Sequence, residues 1–213
     1  MLSKIKLDTI RLDDWFAKRG FLNRKQLFWY TCNNGVLCAA GFDNKPANYE
    51  ALYFVQPLYD YADCFVLDYG DTLVRRNARK AKQYLLYKDM EQADFDRNLD
   101  FTLKCFETDI LPFLRKIVAT DDLPRRINTK MLFCDSSKLL RFKAYTALYA
   151  RRFDEAQTLF EQYVEDTREN GYTCETTLAE PIILLDYLKQ NPETAFAVLQ
   201  NNVAKSLASL QLN

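Results

Sequence analysis

The spacing of apolar positions changes character once along this chain. Up to residue 72 apolar side chains come mostly in short, aromatic-rich runs broken by turn-forming residues. Beyond residue 73 they recur at gaps of three and four. Ile5, Ile10, Trp15 and Phe16 fall on one helical face, with Gly20 as its stop, so a helix opens the chain. The stretch "KQLFWYTCNNGVLCAAGF" (25–42) is two strand-like runs around Asn33-Asn34-Gly35, residues that tolerate the positive φ of a tight hairpin turn. "ALYFVQPLY" (51–59) and "DCFVLDY" (63–69) add two more strands. Pro57 cannot donate to a ladder and marks a strand end or an edge. The expectation is an α+β fold: an N-terminal helix and a small antiparallel sheet of about four strands over 1–72.

The remainder, 73–213, reads as an α-helical region packed on the first. Phe95, Leu99, Leu103, Phe106, Ile110, Phe113 and Ile117 keep one stripe on one face, and Pro112 predicts a kink or a fresh start near Asp109. Asp121 and Asp122 before Leu123-Pro124 resemble another helix start. Further helices are expected over roughly 137–150, 153–169, 175–189 and 192–210. Gly171 suits the stop of the second, and Asn191-Pro192-Glu193 the start of the last. No Pro-, Gly- or Ser-rich linker separates the halves.

One internal similarity stands out. "LYARRFDEAQTLF" (148–160) and "YLKQNPETAFAVL" (187–199) align at an offset of 39, with Ala156 and Ala195 in register. The first copy resembles the turn and second helix of a tetratricopeptide repeat, in which a small residue lets neighbouring helices approach closely. Those units repeat at about 34 residues and stack in arrays of three or more. The resemblance therefore implies two helical hairpins with a potential binding surface.

Composition narrows the chemistry. The 213 residues contain no histidine, so no Ser-His or Cys-His nucleophile pair, His-ligated zinc site or His-ligated haem can be built. Catalysis would have to run on carboxylates, Lys, Tyr, Cys or an acquired metal. Only 5 glycines are present, which counts against phosphate-cradling loops. Lys+Arg and Asp+Glu balance at 29 each, which counts against a life on nucleic acid. The six cysteines, at 32, 38, 64, 105, 134 and 174, form no C-x-x-C pair. "MLSKIKLDTIRLDD" has no apolar core of signal-peptide length, and no apolar run approaches the ~20 residues that span a bilayer. A cytoplasmic protein with reduced thiols is expected, with no cofactor and no metal site.

Three features are candidates for function. "FVLDYGDTL" (65–73) resembles the D-x-D-x-T nucleophile motif of haloacid-dehalogenase-type phosphohydrolases, in which a second carboxylate two residues on serves as acid and base. Here that position is Gly70, and Asp71 stands one place late, so a phosphohydrolase centred on Asp68 lacks its second carboxylate. "VRRNARKAK" (74–82) would place Arg75, Arg79 and Lys82 on one helical face and Arg76 and Lys80 on another, a face able to meet phosphates. Tyr53, Tyr59, Tyr61 and Tyr69 crowd the last strands, where an exposed aromatic face could hold a peptide. Cys32 and Cys38 flank the hairpin turn, with no neighbouring lysine or helix start to activate either thiol.

Lys18-Arg19-Gly20-Phe21 after the first helix, the aromatic sheet and Leu111-Pro112-Phe113-Leu114 together resemble a group of uncharacterised bacterial α+β proteins. That resemblance implies a fold and no activity. The sequence points to a non-enzymatic protein that engages another protein through the aromatic sheet face (Tyr53, Tyr59, Tyr61, Tyr69) or through the C-terminal helical hairpins. The alternatives are the Asp68 phosphohydrolase and a nucleic-acid contact through Arg75 and Arg79.

Overall fold

The computed structural model describes residues 5–117, 135–169 and 175–212, and among them are eight α-helices and a six-stranded antiparallel sheet. This is the α+β class expected from the pattern. The chain forms two compact units that interleave along the sequence. The first holds 1–33, 37–55 and 70–117, and the second holds 34–36, 56–69 and 118–213.

In the first unit α1 (Thr9–Ala17) starts where Asp8 caps it, its Oδ1 accepting from the N–H groups of Ile10 and Arg11 at 3.1 Å. The buried side chains are Leu12 and Phe16, while Ile10 is 81% exposed. The expected face is therefore corrected at two positions: Ile5 lies before the cap, and Ile10 is on the exposed side of the helix. Phe16 stacks on Trp29 at 4.4 Å between ring centres, and Phe106 meets both Phe16 and Phe42 within 6 Å. Such offset and edge-on aromatic pairs add to simple area burial.

The strands are β1 (Asn23–Lys25), β2 (Phe28–Asn33), β3 (Val36–Asn44), β4 (Asn48–Pro57), β5 (Gly70–Thr72) and β6 (Leu85–Tyr87). They run in the order β1-β2-β3-β4-β5, with β6 also on β4. β5 pairs with Leu52–Phe54 and β6 with Asn48–Glu50. The β2–β3 turn uses Asn34 (φ 46) and Gly35 (φ 74), the two positive-φ positions of a tight hairpin. β4 ends on Pro57 as its missing N–H requires.

Two expectations fail in instructive ways. Phe65–Leu67 is not a strand. The Gln56 side chain donates to the Cys64 carbonyl and accepts from the Val66 N–H, both at 3.1 Å, and so satisfies groups a ladder would otherwise pair. Nor is the chain continuously helical from 73. Thr72 does cap a helix, with Oγ1 accepting from Arg75 N–H at 3.3 Å, but α2 (Leu73–Arg76) lasts one turn. Asn77 leaves helical geometry, a 3₁₀ segment covers Ala78–Tyr84, and β6 follows. The apolar stripe then resumes in α3 (Gln92–Cys105). A π turn (Phe106–Ile110) leads into α4 (Leu111–Arg115). Pro112 has no N–H to give the coil and its ring crowds the carbonyl one turn back, so the coil deviates where the sequence said it should.

The second unit contains α5 (Ser136–Tyr149), α6 (Phe153–Glu169), α7 (Glu175–Gln190) and α8 (Pro192–Ser209). Each packs on the next, and α5 also meets α8. All four match the expected helices to within a residue. Pro192 opens α8 after Asn191, as its fixed φ favours. Ala156 and Ala195, aligned in the sequence, are both fully buried. The expected features at Asp121, Asp122 and Gly171 lie outside the described residues. No helix among the described residues is long and apolar enough to cross a membrane.

Candidate functional site

Within the second unit, the segment after β4 lies against the helices through polar contacts. Ser206 Oγ donates to the Leu58 carbonyl at 2.9 Å and Asn202 Nδ2 to the Tyr59 carbonyl at 3.2 Å. Tyr59 stacks on Tyr149 at 4.4 Å, and its hydroxyl shares a 2.7 Å hydrogen bond with Thr146. Gly35 makes room for that ring: a Cβ there would come within 2.9 Å of the Tyr149 hydroxyl.

The first two turns of α5 project polar side chains toward the same segment. Asp135 caps the helix, accepting from Lys138 N–H at 2.7 Å. Lys138 Nζ reaches Asp68 at 2.9 Å. One turn on, Arg141 clasps both carboxylate oxygens of Asp60, at 2.7 and 2.9 Å. The Arg141 guanidinium lies 5.1 Å from the Tyr145 ring centre and 6.0 Å from that of Tyr163. Burial alone would lower its pKa, but the hydrogen bonds and charge of Asp60 more than reverse this and hold it above the ordinary value. Tyr69 donates to the Lys138 carbonyl at 3.2 Å and packs on Phe142.

Asp60, Asp68, Tyr69, Asp135, Lys138 and Arg141, with Tyr163, Asp166 and Thr167 of α6, line a cavity of about 580 Å³. That volume lies in the range of small-molecule and side-chain pockets, about 300–1,000 Å³. Its described lining carries four carboxylates (Asp60, Asp68, Asp135 and Asp166) and two cations (Lys138 and Arg141), with the rings of Tyr61, Tyr69 and Tyr163 and the apolar surfaces of Pro57, Ala62 and Val66. Among the described residues no cluster of three His, Cys, Asp or Glu side chains could hold a metal ion. Ser136 and Ser137 line the cavity, but the chain has no imidazole to activate them. The arrangement can bind and orient a polar group.

No protein-family model, no curated protein and no solved structure matches this chain. Function has to be argued from the geometry.

The residues singled out from sequence divide. Tyr61, 44% exposed, and Tyr69, buried, both line the cavity. Tyr59 is buried behind it in the Tyr149 stack, and burial pushes its phenol well above 10. Tyr53 is buried in the first unit, where Arg76 Nη1 donates to its hydroxyl at 2.5 Å. The aromatic strand β4 is thus buried on both faces over its second half. Arg75 and Arg79 are exposed. They belong to a short helix and a 3₁₀ segment, so the continuous basic helical face does not form, and the Arg76 guanidinium is engaged with the Tyr53 hydroxyl. Asp68 lines the cavity as Lys138's partner, while Asp71 sits on β5 in the other unit. Cys32 and Cys38 are unbridged, and burial pushes Cys38 up to about 12.

Sequence reasoning missed Asp60, Lys138, Arg141, Tyr163, Asp166 and Thr167. One signal was present. Arg141 stands four residues before Tyr145 and seven before Leu148, inside the stripe that becomes buried. A charge on an apolar stripe implies a partner.

Proposed function

We propose that this is a non-enzymatic cytoplasmic protein that engages another protein, and that the cavity of the second unit is where it takes hold of its partner. The observation that carries this reading is the cavity's lining. Polar groups converge on it from three segments, and tyrosine rings flank them. Tyr61 at the rim is the most exposed ring of the set, the kind of aromatic anchor that carries binding energy at interfaces.

The test is site-specific photocrosslinking. A benzophenone side chain placed at Tyr61 should give a discrete protein adduct in cells, and the same probe at Ile10, exposed in the first unit, should not. Adducts of equal yield at both positions, or none at Tyr61, would remove the reading.

A further inference from the structure

The first unit carries a second surface, which owes nothing to the cavity. Between Thr72 and Lys88 the chain has six Lys and Arg side chains and no carboxylate, although charge balances over the whole sequence. Arg79, Lys80 and Lys82 of this stretch are exposed and make no ion pair among the described residues. Asp71 lies within electrostatic reach of Arg75 and Arg76, which are set aside for that reason. The three carboxylates of α3, close behind in sequence, are engaged elsewhere: Asp94 with Arg97, Asp100 with Arg11, and Asp96 with Gln92.

The fold presents these cations at a set spacing. Tyr84 is buried against Phe101, 5.2 Å between ring centres, and Asn77 Nδ2 donates to its hydroxyl at 3.3 Å. Asn98 Nδ2 donates to the Leu85 carbonyl at 2.8 Å, and Lys80 Nζ lies 5.8 Å from the Phe101 ring centre. Between these anchors Ala78–Tyr84 is a 3₁₀ segment, in which side chains three apart eclipse. At a rise of about 2.0 Å per residue, Arg79 and Lys82 stand in one row about 6 Å apart, with Lys80 beside them. An unanchored basic loop would have to order its backbone on binding, and here that cost is already met by the fold.

In an extended polypeptide alternate side chains point to one side, about 6.6 Å apart, close to the interval of the Arg79–Lys82 row. The row is short and the whole chain has no basic excess, which favours a stretch of acidic protein over a nucleic-acid backbone. We infer that Arg79, Lys80 and Lys82 form a docking surface for an extended acidic segment of a partner protein, with carboxylates at alternate positions. Charge-assisted hydrogen bonds from the guanidinium and the two ammonium groups hold the segment. Because the pairs would be exposed, each is weak and screened by salt.

The test is fluorescence anisotropy with the full chain and three labelled probes: a repeating Asp-Ser peptide, its Asn-Ser counterpart, and a single-stranded oligothymidylate of equal length. The Asp-Ser peptide should bind saturably and release as salt is raised, and the Asn-Ser peptide should not bind. Replacing Arg79, Lys80 and Lys82 together by Gln should weaken binding about tenfold, the sum of three weak exposed pairs. Should that variant lose its thermal melt, Arg79→Gln with Lys82→Gln serves, since it leaves Lys80 over Phe101. Replacing the exposed Lys18, Lys189 and Lys205 by Gln changes the net charge equally and should leave binding unaltered. Equal losses in the two triple variants, unchanged binding in the first, or no binding of the Asp-Ser peptide would each overturn the inference. Tighter binding of the oligothymidylate, lost with Arg79, Lys80 and Lys82, would overturn it in favour of nucleic acid. The Tyr61 crosslink judges the cavity separately in every case.

Discussion

Arg141 and Asp60 stand 81 residues apart and meet as a two-pronged ion pair whose side chains are only 24% and 13% exposed. The pair ties the segment after β4 to α5 and forms one wall of the cavity. Each partner is the main compensation for the other's loss of water, so their energies are coupled.

Removing one partner should therefore cost more than removing both. Asp60→Ala leaves a guanidinium short of its counter-charge, and the expected loss is about 3 kcal/mol, the lower end for buried pairs. Arg141→Leu combined with Asp60→Ala should recover part of that loss. Urea denaturation of the two single variants and the double variant measures the coupling, and strict additivity would show that the pair carries no shared energy.

Alkaline stability should fall from about pH 10 upward. Burial raises the phenols of both Tyr59 and Tyr145 above their ordinary 10.0. The folded chain keeps these protons while the unfolded chain releases them, so the unfolded state binds fewer protons and stability declines as pH rises. The slope is about 1.4 kcal/mol per pH unit for each tyrosine. Below pH 10 this contribution is fully present. Unfolding free energies measured between pH 8 and 12 should show the decline, and Tyr59→Phe should flatten it.

Two glycines separate backbone strain from crowding. Gly20 (φ +87) has no heavy atom within 4 Å of the position its Cβ would take, whereas Gly35 (φ +74) has the Tyr149 hydroxyl at 2.9 Å. Gly20→Ala should cost about 1–2 kcal/mol for the left-handed backbone alone. Gly35→Ala should cost more, and Tyr149→Phe in the Gly35→Ala background should narrow the gap. Equal losses at the two glycines would mean that the Tyr149 contact is immaterial.

The thiols should react in a fixed order. Cys64 is exposed, and Cys38 is buried with a pKa near 12. Cys32 keeps solvent-accessible surface, yet burial pushes its thiol up to about 11; the latter governs its rate, because the thiolate is the nucleophile. Site-resolved alkylation at pH 8 should modify Cys64 first, Cys32 slowly and Cys38 only on unfolding.

Asp68 should not support phosphate-ester hydrolysis. Its carboxylate is engaged by Lys138, and Asp71 belongs to the other compact unit. Wild type and Asp68→Asn should show the same background in a magnesium-dependent phosphatase assay. Activity lost in the variant alone would restore the enzyme reading.

Much of the fold was legible because it depends on local chemistry. The Asn34-Gly35 turn, the end of β4 at Pro57, the deviation before Pro112 and the start of α8 at Pro192 each follow from what a few adjacent residues can do with φ or an N–H. The candidate site was far less legible. Tyr61, Tyr69 and Asp68 were in view, but Asp60, Lys138, Arg141, Tyr163, Asp166 and Thr167 come together only by tertiary contacts, from Arg141 with Tyr163 across 22 residues to Lys138 with Asp68 across 70.

By itself, the sequence determined the α+β class, the four C-terminal helices and the absence of imidazole chemistry, since these rest on period, capping and composition. Tertiary structure decided that Phe65–Leu67 would not be a strand, because a glutamine side chain satisfied its backbone. It decided that residues 85–87 would be one, because the free edge of β4 offered partners. It also decided that Asp68 would face a lysine in a shared cavity, because Lys138 lies 70 residues on and only the folded chain brings the two charges within reach.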